Sequence, residues 1–172
     1  LVSNDPDKVQ DFYSRHDGDI CLKLQAGAIV QRDDKHFTVY TNKVRREQIS
    51  NPRLIRQTPH MFQQYFEKDF EVRVTVVGDT PIAVAIHSQS SEVSQVDFRR
   101  YDFKNVPYTQ IELPPEIGQF CLDMLAEFDL KFGAFDFVVT PEGDYVFLEV
   151  NPSGQWLWLE QLSGAPIAKT LA

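Results

Sequence analysis

Residues 132–151 constrain this chain more tightly than any other stretch. Phe132 to Val139 and Tyr145 to Asn151 are both rich in β-forming residues, and the intervening Thr140-Pro141-Glu142-Gly143-Asp144 is rich in turn formers. A four-residue loop at 141–144 sets Thr140 opposite Tyr145 and, counting back along the strands, Asp136 opposite Glu149. Directly opposed like charges on paired strands are unfavourable unless something compensates them. A divalent cation is the simplest compensation. Asn151 lies two residues past Glu149, so it points to the same face and adds a neutral oxygen. An Asp/Glu/Asn oxygen set suits Mg²⁺, a hard cation that takes few protein oxygens and leaves other positions to phosphates. A solvated acidic hairpin face is the competing reading.

The chain has 172 residues, 42% of them hydrophobic and 13 of them Phe, enough for one substantial core or two small lobes. No apolar run reaches the roughly 18 residues of a membrane span. The opening Leu1-Val2-Ser3-Asn4-Asp5 is polar, unlike a signal peptide, and the absence of an initiator Met leads us to expect a piece of a longer protein. A net charge of −8 argues against nucleic acid or an anionic membrane as the main partner. It leaves room for an anionic small ligand where basic residues and a metal converge. Cys21 and Cys121 are isolated in apolar runs, as small core residues would be, and fit a reducing, cytoplasmic compartment. The four histidines have no zinc-like spacing.

Along the chain, residues 5–16 read as a helix capped by Asn4 or Asp5, with Pro6 in the first turn. Strands are expected at 20–24 and 37–41, with Gln25-Ala26-Gly27-Ala28 as a small-residue loop and 43–59 as a partly helical connection. In 70–77, Val72, Val74 and Val76 alternate with Glu71, Arg73 and Thr75, the period of a two-faced strand. Gly78-Asp79-Thr80-Pro81 turns the chain into an antiparallel partner at 82–86. The Ser/Gln-rich 88–96 is expected to be a mobile loop. Pro114-Pro115 opens a helix with Ile117, Phe120, Cys121, Met124, Leu125 and Phe128 on one stripe. A short helix near 156–162 closes the chain. Antiparallel strands with a few helices predict an α+β fold.

Single charged residues have ordinary explanations. Lys23 in an apolar strand can snorkel to solvent, Arg73 can make a surface pair with Glu71, and Arg99 and Arg100 can belong to a solvated loop. Together with the carboxylate hairpin they form the equipment for a triphosphate, whose oxygens must be neutralised and aligned for phosphoryl transfer. Neither G-x-x-x-x-G-K-[ST] nor G-x-G-x-x-G occurs, which excludes the P-loop and Rossmann patterns.

The order of these elements is distinctive: Cys21-Leu22-Lys23, Phe62-Gln63-Gln64-Tyr65-Phe66, Glu71-Val72-Arg73, Asp97-Phe98-Arg99-Arg100-Tyr101-Asp102, then Leu148-Glu149-Val150-Asn151-Pro152 and Gln155-Trp156-Leu157-Trp158. It resembles the ATP-grasp ligases, and among them the branch that makes microviridin-like (graspetide) peptide macrocycles. The resemblance runs over nearly the whole chain. It implies a two-lobed α+β fold gripping ATP, here with 1–62 as a partial small lobe and 63–172 as the C-terminal lobe with the metal site. It further implies that Lys23 contacts the α- and β-phosphates, that Gln64, Tyr65 and Phe66 form the hinge reading adenine through the backbone, and that Lys68 lies near the ribose or adenine rim. Arg73 and Arg99 would stabilise the transferring phosphoryl group and an acyl phosphate. Asp136, Glu149 and Asn151 would hold Mg²⁺, with Glu149 bridging two ions.

The implied reaction joins a peptide side-chain carboxylate to a hydroxyl or amine, forming ADP, with a precursor peptide or small carboxylate compound as partner and a homodimer left open. Three departures stand out. The family's N-terminal domain and upstream phosphate-binding lysine have no counterpart, the loop after Lys23 has one glycine, Gly27, and Gln64 occupies a position often held by Glu. A nucleotide-binding module without chemistry, and a ligase similar to glutathione synthetase or the ribosomal-protein glutamate ligases, are the alternatives.

Overall fold

A computed structural model describes residues 1–25 and 29–172, which divide into two compact units, Leu1–Phe66 and Glu67–Ala172. The expected boundary at 62/63 moves to 66/67. The reason is local: Phe62, Gln63 and Gln64 pair with Leu22, Cys21 and Ile20 inside the first unit.

The first unit runs β1 (Val2–Ser3), α1 (Pro6–Arg15), β2 (Ile20–Lys23), β3 (Ile29–Arg32), β4 (Lys35–Thr38), β5 (Asn42–Lys43), α2 (Arg46–Ile49), α3 (Pro52–Ile55) and β6 (His60–Gln64). Four strands form an antiparallel sheet in the order β1-β6-β2-β5, and β3 and β4 make a separate hairpin. That hairpin displaces the strand expected at 37–41. Asp33 and Asp34 take φ of 49° and 58°, so a two-residue turn sets Arg32 opposite Lys35 and starts β4 earlier. The expected Ala26-Gly27-Ala28 loop lies outside the described residues. Val9, Ile20, Val44, Ile49, Ile55 and Phe62 form the core. Asp5 caps α1, its carboxylate accepting from the Asp7 N–H at 3.0 Å, with Pro6 at the position where a missing N–H is harmless. Asp5→Ala should lower the unit's stability by about 1 kcal/mol, read as a shift in denaturant midpoint at constant slope. No shift would mean that water caps the helix equally well.

The second unit contains β7 (Phe70–Val77), β8 (Thr80–Ile86), a 3₁₀ turn at Ser88–Ser90, β9 (Tyr108–Ile111), α4 (Pro115–Glu127), β10 (Phe132–Val139), β11 (Tyr145–Asn151), α5 (Leu157–Ser163) and α6 (Ile167–Leu171). Its five-stranded antiparallel sheet has the order β11-β10-β7-β8-β9. One face buries Val72, Val74, Val76, Phe135, Phe137 and Val139 against Cys121 and Leu125 of α4. The other packs Ile82, Val84 and Ile86 against Leu159, Ala165 and Ile167 of the C-terminal segment. Arg73 stands opposite Val84 on this second face. Among the described residues no helix is long and apolar enough to cross a membrane.

Residues 88–96 are partly packed, with Ser90, Glu92, Val93 and Gln95 exposed. Ser88 and Ser94 are buried, and the Ser94 hydroxyl donates to the Ser88 and Ser91 carbonyls at 2.7 and 3.2 Å. Serine hydroxyls here satisfy backbone acceptors that a mobile loop would leave to water.

Candidate active site

The β10–β11 hairpin brings two carboxylates together by a different register from the one counted in sequence. Thr140 N–H donates to the Asp144 carbonyl at 3.0 Å, so the loop is the three residues Pro141, Glu142 and Gly143, with Gly143 at φ 92°. Val139 therefore faces Tyr145, and Phe137 faces Phe147. The register then slips by one between Phe137 and Asp136, with Leu148 as the extra residue, and Asp136 faces Glu149. The bulge has a steric purpose. Phe147 packs with Phe120 and Phe137 on the α4 face at ring distances of 5.4 and 5.7 Å. In an unbroken strand Glu149 would share that apolar face. The extra residue turns Glu149 and Asn151 to the opposite face, with Asp136.

Asp136 also faces Arg73 across β7, so Glu149, Asp136 and Arg73 lie side by side on three adjacent strands. Strands spaced about 4.8 Å apart bring all three within reach of one small ligand. The expected surface pair between Arg73 and Glu71 does not form. Arg73 is buried, with Nη1 3.4 Å from both oxygens of Asp136, and Glu71 instead pairs with Lys68. The Trp158 ring lies 6.0 Å from the Arg73 guanidinium carbon. Arg73 Nε and, two residues along on the same face, Thr75 Oγ1 are buried without a hydrogen-bond partner among the described residues. A buried donor with no acceptor costs about 1–3 kcal/mol, and an anionic oxygen brought to this face would remove that penalty.

Gly154 belongs to the same construction. Asn151 Oδ1 accepts from the Ser153 N–H at 3.0 Å and turns the chain so that residue 154 lies against Arg73. A Cβ at 154 would stand 2.4 Å from Ala134 Cβ and 2.9 Å from Arg73 Nη2. Gly154→Ala should cost about 1–3 kcal/mol of stability by overpacking and displace the guanidinium. Thermal unfolding and turnover measured on one preparation check this. A fully stable and fully active variant would show that the turn yields without moving Arg73.

Arg99 is held by Asp97 in a two-pronged pair, Nε to Oδ1 at 2.8 Å and Nη2 to Oδ2 at 2.6 Å. Asp97 is buried, while the Arg99 side chain is 46% exposed, so the charge is pinned by the carboxylate and still reaches solvent. The Asp97 hydrogen bonds raise the Arg99 pKa further, against the opposing effect of burial, with smaller contributions from the charges of Glu149 and Asp136. Lys68 is differently placed. Its ammonium is buried, donating to Glu71 and to the Val96 carbonyl at 3.2 Å, and Ser88 donates to the other Glu71 oxygen. Burial raises the Glu71 pKa, with Lys68 opposing.

In the first unit, Lys23 is half-buried on β2 opposite Met61. Gln64, Tyr65 and Phe66 lead out of β6; the Tyr65 N–H donates to the Asp19 carbonyl at 2.9 Å, and Lys43 Nζ lies 3.8 Å from the Tyr65 ring centre. Sequence reasoning gave no site role to Gly154 or to Trp158, which it met only within the Gln155–Trp158 motif. It also missed the clamping role of Asp97, although Asp97-Phe98-Arg99 carried a visible signal: an acid two residues before a base in a turn region.

Among the described residues no group of three or more His, Cys, Asp and Glu is placed to hold a metal. The candidate donors Asp136, Glu149 and Asn151 are two carboxylates and one amide, hard oxygens on one face. That set fits Mg²⁺ completed by phosphate oxygens and is too sparse for an all-protein cage.

No protein-family model and no curated protein matches the chain. Solved structures do. A Chryseobacterium gregarium RiPP-associated ATP-grasp ligase, in complex with ADP and a leader and core peptide, is similar over 99% of this chain at 31% identity, with a TM-score of 0.91. The macrocyclase MdnC of Microcystis aeruginosa MRC, bound with precursor peptide MdnA, is similar over 99% of this chain at 30% identity, with a TM-score of 0.85. The ATP-grasp ligase PsnB, complexed with minimal precursor, Mg and ADP, shares the fold at 23% identity and a TM-score of 0.73, again over 99% of this chain. The chain spans about half the length of each: 52%, 53% and 50%.

Proposed function

We propose that this chain, which has the ATP-grasp fold of peptide-modifying ligases, is the nucleotide- and metal-binding part of an ADP-forming enzyme that activates a peptide side-chain carboxylate. The observation that carries the reading is the in-register row of Glu149, Asp136 and Arg73 on one sheet face. Two adjacent carboxylates and a buried arginine with an unsatisfied donor suit a site that gathers a cation and phosphate oxygens together.

A carboxylate resists nucleophiles because it is already anionic and its oxygen is a poor leaving group. Transfer of the ATP γ-phosphoryl group to a carboxylate oxygen gives an acyl phosphate and ADP. A hydroxyl or amine then attacks the acyl carbon, and phosphate leaves with the former carboxylate oxygen. The product is an ester or an amide, with one water lost from the peptide per bond. Asp136, Glu149 and Asn151 would hold Mg²⁺, which when bound would supply neutralisation of phosphate charge. Arg73 and Arg99 aim fixed positive charge at the oxygens that gain charge in transfer, and both are already oriented by carboxylates, so little reorganisation accompanies the reaction. Lys23 neutralises the bridging phosphates. Residues 64–66 present backbone groups to the adenine. Lys68, spent on Glu71 and Val96, supports the nucleotide rim by positioning rather than direct contact.

The substrate in this reading is a ribosomally made precursor peptide, as in the complexes of the similar ligases. The enzyme works in the cytoplasm, consistent with Cys21 and Cys121 being buried outside any disulfide. Incubation with ATP, Mg²⁺ and candidate acidic peptides, followed by mass spectrometry, tests the proposal. Loss of one water per bond with matching ADP formation supports it; nucleotide binding without any dehydrated peptide across a broad panel would leave a binding module.

A further inference from the structure

Beside Arg73 lies an aromatic cluster that the transfer chemistry does not use. Trp158, 6.0 Å from the guanidinium carbon, stacks with Phe98 at 6.3 Å and meets Tyr101 edge-on at 6.1 Å. Tyr101 in turn stacks on Phe103 at 4.7 Å and 18°. Buried Tyr108 supports both ends, 5.8 Å from Trp158 and 6.4 Å from Phe103. Tyr101 and Phe103 are nevertheless 51% and 52% exposed. Two half-exposed rings stacked on one another and joined through Trp158 to Arg73 form an apolar surface beside a charged site.

The segment carrying them is anchored. The Asp102 carboxylate, between Tyr101 and Phe103, accepts from the Ser91 hydroxyl at 2.6 Å and from Asn105 Nδ2 at 2.9 and 3.0 Å, and the Val106 N–H donates to the Asp102 carbonyl at 3.0 Å. These bonds, with Ser91 the largest cause, hold the Asp102 carboxyl below its usual pKa. Exposed rings on a pinned backbone lose little freedom when something packs on them, which favours binding.

We propose that Trp158, Tyr101 and Phe103 form a subsite for the peptide substrate, seating an apolar side chain two residues away from the carboxylate that reacts beside Arg73. This rests on the carboxylate-ligase reading above. In an extended peptide, side chains two residues apart share a face at about 6.6–6.8 Å spacing. The Trp158 ring, 6.0 Å from the Arg73 guanidinium carbon, is within one such step, and Tyr101, edge-on to Trp158 at 6.1 Å, flanks it with Phe103. Charge complementarity sets the orientation, the acid at Arg73 and Arg99 and the uncharged side chain on the rings. An aromatic or branched aliphatic residue fits, because flat ring faces reward apolar contact area.

Four fluorescently labelled peptides test this, carrying Glu or Gln at the reacting position and Phe or Ala two residues away, titrated by anisotropy with Mg²⁺ and a non-hydrolysable ATP analogue. The Glu/Phe peptide should bind about tenfold more tightly than Glu/Ala. In the Tyr101→Ala/Phe103→Ala variant that preference should shrink to within about twofold while the Glu-over-Gln preference persists. A wild-type protein that prefers Glu over Gln but is indifferent to Phe overturns the subsite alone, whatever the stability of the variant. Loss of self-association in the variant, with peptide preference unchanged, assigns the patch to a second copy and also overturns it. Indifference to Glu against Gln in the wild type instead overturns the carboxylate reading and takes the subsite with it.

Discussion

Arg73→Ala should lower turnover about 10²–10³-fold and leave the KM for ATP within a few fold of the wild type. The argument is one of differential binding. A guanidinium beside Asp136, with Nε unsatisfied, has its best acceptor when charge spreads over the transferring phosphoryl oxygens, so its loss falls on the transition state. Initial rates of ADP release with a peptide acceptor measure both constants. A raised KM with unchanged turnover would place Arg73 on the ground-state nucleotide and end its catalytic assignment. The variant carries a second signature. Removing Arg73 takes away the cation that faces Asp136 across β7 while Glu149 still opposes it, so the thermal midpoint should fall without metal and recover as Mg²⁺ is added, more than in the wild type.

Glu149→Gln should weaken Mg²⁺-dependent nucleotide binding about a hundredfold, since it removes one of two protein carboxylates from a sparse donor set. The same substitution relieves the repulsion between Glu149 and Asp136. Stability without metal should therefore stay level or rise while metal-dependent binding and turnover fall. Opposite signs on one substitution separate a ligand from a structural residue, because a residue needed only for folding would lower both. Calorimetry with nucleotide across an Mg²⁺ series, paired with denaturant melts, reads the two effects. An unchanged Mg²⁺ dependence would falsify the metal role of Glu149.

The hairpin shows how far sequence reasoning reached. That Asp136 opposes Glu149 was legible, yet the counting behind it was not the register the chain adopts. A four-residue loop was expected, whereas Gly143 at positive φ closes a three-residue one, and the Leu148 bulge then shifts the pairing back by one. Two departures from regularity offset each other at the one position that matters. Composition cannot reveal them, because a bulge is chosen by the packing of Phe147 against Phe120 and Phe137 while Glu149 is kept off that face. Arg73 was legible as a residue on a two-faced strand, but its partner was not. Local charge pointed to Glu71, two residues away, while β7 lies next to β10 and places Asp136 directly across.

Some features follow from local sequence alone. The alternation of Val72, Val74 and Val76 with Glu71, Arg73 and Thr75 makes β7 a strand with an apolar and a polar face, because successive side chains point to opposite sides. Pro6 after Asp5 starts α1, and the Ile117–Leu125 stripe makes α4 a helix with a buried side, since steric and period rules act within a few residues. Strand order is another matter. Arg73, Asp97, Arg99, Asp136, Glu149 and Gly154 span more than eighty positions, and nothing in their spacing says which will meet. Only the order β11-β10-β7-β8-β9 sets Glu149, Asp136 and Arg73 in one row and brings residue 154 against the guanidinium. Pairing between distant strands is decided by burial of both sheet faces at once, a property of the assembled layers that no short window of sequence contains.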